Sequence, residues 1–168
     1  FQNVRSFPGL TALQNVAMAV PHQPGESLLR LFAMPFGSIR ADRRTRAKAM
    51  QHLEFVGAAD LADELVGNLA FGQQKLVAFA RMLATDADVL LLDEPTSGVD
   101  PKSAEQIIEL VRSLAAMGKT ICIVEHSLHV VTSLSDRVVF MDAGKVIAEG
   151  SVDNITKRED LVDLYFGT

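Results

Sequence analysis

Four apolar residues run straight into two acids at VLLLDE, residues 89–94, and Asp100-Pro101 opens a new element six residues later. The apolar stretch has the length of a short buried strand, and Pro95 stops it. Asp100 carries the short acceptor side chain of a helix N-cap, and Pro101 suits the first helical position, where no N–H is required. Strand, acids, turn and capped helix in this order constrain the chain to a layered α/β fold. Acids delivered at the carboxyl end of a strand sit where open α/β sheets bind ligands. Acids are common at strand exits. Two acids, a proline, a glycine and a capping aspartate together are not.

The pattern around this segment is consistent with it. The helix after Pro101 carries Ala104, Ile107, Ile108, Val111, Leu114 and Ala115 on one stripe and ends at Gly118. TICIV at 120–124 reads as a second buried strand, SLHVVTSL as a short helix and RVVFMD as a third strand. Asp142-Ala143-Gly144-Lys145 then turns the chain into KVIAEG as a hairpin. Strands separated by helices of this length imply a parallel sheet. A closing helix is expected from about Arg158 to Phe166. Upstream, prolines and glycines punctuate the start of the chain. ADRRTRAKAMQHLEFVG at 41–57 then reads as a helix with Ala47, Met50, Leu53 and Val56 on its apolar side and Gly57 as its C-terminal cap. A further helix is expected from Gly72 to about Thr85, with Leu76, Ala80 and Leu83 on one face.

The 168 residues suffice for one domain with a core. A net charge of −5 supplies no basic field for nucleic acid, and the cluster Arg43, Arg44, Arg46 and Lys48 is local. The single cysteine, Cys122, cannot pair within the chain, which fits a reducing, cytoplasmic setting. No apolar run approaches the ~20 residues needed to cross a bilayer, so any membrane link is expected through a partner. There is no initiator Met at Phe1, and the opening residues read like the middle of a longer chain.

Three groups of residues carry chemistry. Asp93 can hold Mg²⁺, which offsets phosphate charge, and Glu94 can polarise an attacking water. In LAFGQQKLVAFARML, Gly72 precedes a helix whose first N–H groups favour an anion, and Gln73 can add a side-chain donor. Alone, a glycine before an amphipathic helix is a weak motif. It gains weight from lying just upstream of VLLLDE. A lone histidine is more often structural, but His126 leaves a strand exit parallel to Asp93-Glu94 and can there donate to a terminal phosphate.

In this order along the chain, the segments resemble the ATP-binding subunit of ABC transporters. The resemblance implies an α/β P-loop NTPase core with a parallel sheet plus a helical subdomain, incomplete at the N-terminus. Residues 1–70 would form the Q-loop and the helical subdomain that touches a membrane permease. Residues 71–150 would form the signature helix and the α/β core, and 151–168 the C-terminal helix. Gln2 would be the Q-loop glutamine, shared between nucleotide and metal, and LAFGQQ the signature. Asp93 would be the Walker B metal ligand, Glu94 the catalytic base, Ser97 to Asp100 the D-loop and His126 the switch histidine. Ala70, Phe71, Gly72, Gln73 and Asp100 would face ATP bound across a head-to-tail pair of ATPase subunits, with Mg²⁺ as the metal. The expected location is the inner face of the cell membrane, held there by transmembrane permease subunits.

Two departures qualify the resemblance. Ala70 and Phe71 replace the serine and first glycine of the general LSGGQ pattern, so one hydroxyl donor is lost. A small residue and an aromatic before GQQ are similar to the branched-chain amino acid group of importers, as are the opening FQNVRSFPGLTALQNV and the closing GSVDNITKREDLVDLYFG. The second departure is larger. A phosphate loop needs GxxxxGK[ST] between a strand and a helix. The only candidate, Gly118-Lys119-Thr120, has Ser113 where the first glycine should be and lies between a helix and a strand, the reverse context. The expectation is therefore an importer ATPase subunit without its phosphate loop, inactive by itself. The alternatives are a non-transport ABC ATPase of DNA repair or translation and a truncated, non-enzymatic interaction fragment.

Overall fold

The computed structural model describes residues 6–21 and 35–157, so Gln2 and the helix expected near Arg158–Phe166 lie outside the described residues. Helix α1 (Ala12–Ala17) opens on a capping box: Thr11 Oγ1 accepts the Gln14 N–H, and Gln14 Oε1 accepts the Thr11 N–H. Buried Asn15 holds the preceding loop through its side chain, accepting from Phe7 N–H and donating to the carbonyls of Phe7, Leu10 and Thr11. Residues 8–13 also bond backbone to backbone with residues 62–67.

Helix α2 (Pro35–Phe55) ends as expected at Gly57, whose φ is +73°. Ala58 N–H reaches Leu53 O and Gly57 N–H reaches Glu54 O, a Schellman closure in which Ala58 and Leu53 are both buried. Its inward stripe is Ala49, Leu53 and Val56, with Met50 half-buried. Ala47, expected on that side, is exposed: it lies two residues from Ala49, about 200° around the helix.

Helix α3 (Phe71–Leu83) leads into β1 (Val89–Asp93), α4 (Pro101–Ala116) and β2 (Thr120–Val124). Asp100 caps α4 with Pro101 in its first turn. Ile107, Ile108, Val111 and Leu114 are buried, each worth about 1.5–3 kcal/mol by area, whereas Ala115 at the edge of the stripe is exposed. Gly118, with φ +86°, ends α4 by the same Schellman pattern, through Lys119 N–H to Leu114 O and Gly118 N–H to Ala115 O.

Strands β1 and β2 pair in parallel, Val89 opposite Thr120 through to Asp93 opposite Val124. Their apolar composition led us to expect burial on both faces, and neither strand has it. Leu90 and Leu92 face the main core, with Ile121 and Ile123 packed against it. Leu91 is 71% exposed and Val124 60%, and Val89 and Cys122 share that bare face. A fully apolar strand needs a layer on each side, and the described residues supply one. After α5 (Leu128–Leu134), β3 (Arg137–Asp142) does not extend the parallel pair. It forms a separate antiparallel sheet with β4 (Lys145–Ser151), turning at Ala143-Gly144, where φ is positive at both residues. Helix α6 (Val152–Thr156) packs Ile155 against Phe140 of that hairpin.

Candidate functional site

The parallel register sets the first cluster. Because Asp93 lies opposite Val124, the residues leaving both strands emerge side by side, and Glu94 N–H donates to Val124 O at 2.8 Å. Glu94 takes a left-handed backbone, φ +45°, unusual for a residue with a side chain and worth about 1–2 kcal/mol of strain. Its Oε1 lies 3.3 Å from His126 Nδ1. The histidine ring is 69% exposed and the Glu94 side chain 24%, so the pair opens to solvent from the histidine side. The exposed Asp93 carboxylate sits one residue earlier, at the strand's end.

The turn after β1 is held from two directions. Lys75, 1% exposed, donates its ammonium to the carbonyls of Glu94 at 3.3 Å, Pro95 at 2.8 Å and Ser97 at 2.5 Å. Glu125 Oε1 accepts from Thr96 N–H at 3.3 Å and from the Thr96 hydroxyl at 2.8 Å. Burial pushes the Lys75 ammonium below its ordinary pKa, and the charges of Glu125 and Glu94 oppose that shift. Neither the Lys75 tether nor the Glu125 contact with Thr96 follows from a local sequence pattern. The available signal was a lysine four residues before Phe79, on the inward face of α3, where a charge must find partners.

The second cluster lies at the start of α3. Gln73 Oε1 accepts the Ala70 N–H at 3.0 Å, half of a capping box whose other half would need an acceptor on residue 70. Gly72 abuts α4: a Cβ there would lie 2.8 Å from Ser103 Oγ and 3.0 Å from Ser103 Cβ. Ser103 Oγ donates to Asp100 Oδ2 at 2.6 Å, while Asp100 Oδ1 accepts the N–H groups of Lys102 and Ser103. The Ser103 hydroxyl, and then its N–H, hold the Asp100 carboxyl below the usual range. The exposed Phe71 ring lies 5.2 Å from Lys75 Nζ and presses on Gly98. Glu94 and His126 are thus brought together, with Asp93 beside them. Phe71, Gly72 and Asp100 form a neighbouring patch with Ala70 and Gln73, and Lys75 touches both groups. Gln2 lies outside the described residues.

The one carboxylate at the end of β1 that could contribute to a metal site is Asp93. Among the described residues no group of three or more His, Cys, Asp or Glu side chains forms a metal cage. A single carboxylate at a strand tip is what Mg²⁺ uses when phosphates and waters complete its shell. No helix among the described residues is long and apolar enough to cross a membrane.

Known proteins are similar to this chain in sequence and fold. The sequence profile of the family described as ABC transporter matches residues 1–97. The high-affinity branched-chain amino acid transport ATP-binding protein BraF of Pseudomonas aeruginosa is 34% identical over 173 residues, covering 99% of this chain and 66% of BraF. The chain therefore spans just under two thirds of that relative's length. A nucleotide-free ATP-binding cassette from an ABC transporter superposes with a TM-score of 0.78 at 34% identity, covering 100% of this chain and 67% of that one. The dimeric cassette MJ0796, in a post-hydrolysis state bound to ADP and Pi, matches with a TM-score of 0.68 at 29% identity, covering 90% of this chain and 61% of that one. Family profile, identity and superposition agree: the chain belongs to the ABC transporter family, with the mixed α/β fold of its ATP-binding cassettes.

Proposed function

We propose that these residues form the part of an ATP-hydrolysing importer subunit that carries the base, the metal ligand and the partner-facing anion site. The cargo we assign is branched-chain or related amino acids. The observation that carries the reading is the Glu94–His126 pair, 3.3 Å apart at the ends of two parallel strands. Glu94 polarises the attacking water, His126 contacts the terminal phosphate, and Asp93 holds Mg²⁺. The metal, when bound, offsets the charge on the phosphates. Ala70, Phe71, Gly72 and Gln73 face the nucleotide held by a second ATPase subunit arranged head to tail, and Asp100 lines the same seam. Gln2 belongs to the metal and nucleotide site. Permease subunits hold the assembly at the inner face of the membrane. The relative named for branched-chain amino acid transport supports the cargo.

No stretch of the 168 residues is a phosphate loop in the required strand-to-helix context. These residues alone are therefore expected to turn over no ATP. In a subunit that includes such a loop, Glu94→Gln should slow hydrolysis by about 10²–10⁴-fold and leave nucleotide affinity nearly unchanged. Hydrolysis near the wild-type rate would remove Glu94 as the base. A second reading, favoured by the exposed Phe71 beside Gly72, is a binding-only segment that offers its α3 start to a partner cassette. Nucleotide binding that appears only when an intact partner is added would support it.

A further inference from the structure

The turn at 94–97 bends sharply out of β1, through a residue in the left-handed region, and yet it carries the candidate base. Something outside the turn must hold it. Within the turn the only backbone bond is Ser97 N–H to Glu94 O, at 3.2 Å. The carbonyls of Glu94, Pro95 and Ser97 all accept from one cation, the ammonium of the buried Lys75. An ammonium has three donors, matching the three carbonyls. Glu125, the residue before His126, takes both donors of Thr96. The turn's acceptors thus meet a fixed donor and its donors meet a fixed acceptor.

We propose that Lys75 is a positioning residue for Glu94: by gathering the carbonyls of Glu94, Pro95 and Ser97 around one ammonium, it fixes the turn that aims the Glu94 carboxylate at His126. The catalytic part of this inference rests on the ATPase reading above, whereas the structural part does not. Lys75 lies one turn into α3, the helix whose start carries Gly72, so the helix end facing an anion and the turn bearing the base share one tether. The ammonium also sits 5.2 Å from the Phe71 ring centroid, which shields it from solvent on that side.

Two measurements test the proposal independently. Hydrogen exchange read by mass spectrometry on the chain and its Lys75→Met variant should show the amides of Glu94, Thr96 and Ser97 exchanging about tenfold faster, with those of Ile107–Leu114 unchanged. Unchanged protection at 94–97, or equal loss in both segments, overturns it. If Lys75→Met does not fold, Lys75→Gln, which keeps a donor but not the charge, is judged by the same outcomes. In a subunit with a phosphate loop, Lys75→Met should lower kcat about tenfold with KM within about twofold, and Lys75→Arg should recover part of the loss. A normal kcat beside faster local exchange overturns the positioning role. Should Glu94→Gln itself hydrolyse normally, the ATPase reading fails while the exchange result still decides what Lys75 does to the turn.

Discussion

Asp100 shows how a single side chain can serve two ends. Its carboxylate caps α4 by accepting from Lys102 and Ser103, and it also receives the hydroxyl of Ser103, the residue that meets Gly72. These bonds favour the charged form, so the folded pKa lies below that of the unfolded chain. The contribution is then fully present above the ordinary carboxylate value, about 3.9, and is lost as pH falls through the lower folded value. Wild-type stability should therefore fall more steeply on acidification below about pH 4 than that of Asp100→Asn, which keeps the cap but cannot titrate. Parallel pH profiles in urea titrations would contradict this. That Asp100 caps a helix could be read from its proline neighbour. Its tie to Gly72 could not, since the contact depends on how α3 crosses α4.

At the scale of elements, the close approach of α3 and α4 rests on Gly72 having no side chain. Gly72→Ala would place a methyl group 3.0 Å from Ser103 Cβ, which cannot rotate away. Crowding of this kind costs about 1–3 kcal/mol, against a helix-propensity gain of about 1 kcal/mol. A net loss of about 1 kcal/mol is expected in denaturant titration; unchanged or increased stability would show that the helices can part. Local rules located most elements well. Asp-Pro before α4, Gly57 and Gly118 after α2 and α4, and the Asp142–Lys145 turn all act through neighbours a few residues away. The short helix α1 passed unnoticed because it spans only six residues, and its capping box lies in a stretch dominated by Pro8-Gly9. Lys75 was missed for a different reason: its partners are about twenty residues downstream, on a turn whose shape no local pattern specifies.

For the whole molecule, the parallel pair has one packed face and one bare face. Val89, Leu91, Cys122 and Val124 present apolar surface that nothing among the described residues covers. Exposed apolar surface beside a strand edge left unpaired among the described residues favours association. By itself the chain should sediment as dimers or larger species at micromolar concentration, and Leu91→Lys with Val124→Lys should shift it toward monomer. A clean wild-type monomer with one cooperative melt would count against this. Alternation between β1's two faces was hidden in the sequence because both faces are apolar. Apolar residues at 89 and 91 signal that a cover is wanted, not that one is present.

Asn15 and the backbone bonds between residues 8–13 and 62–67 have a mechanical consequence. Pro8 O accepts the Gly67 N–H, Val66 O accepts the Leu69 N–H, and Ala70 follows immediately at the mouth of α3. A Cβ at Gly67 would lie 3.1 Å from Pro8, so there is little slack between the two segments. Force applied to the loop at Phe7–Leu10 would travel like a push on a short rod and arrive at the glycine-led end of α3 within a few residues.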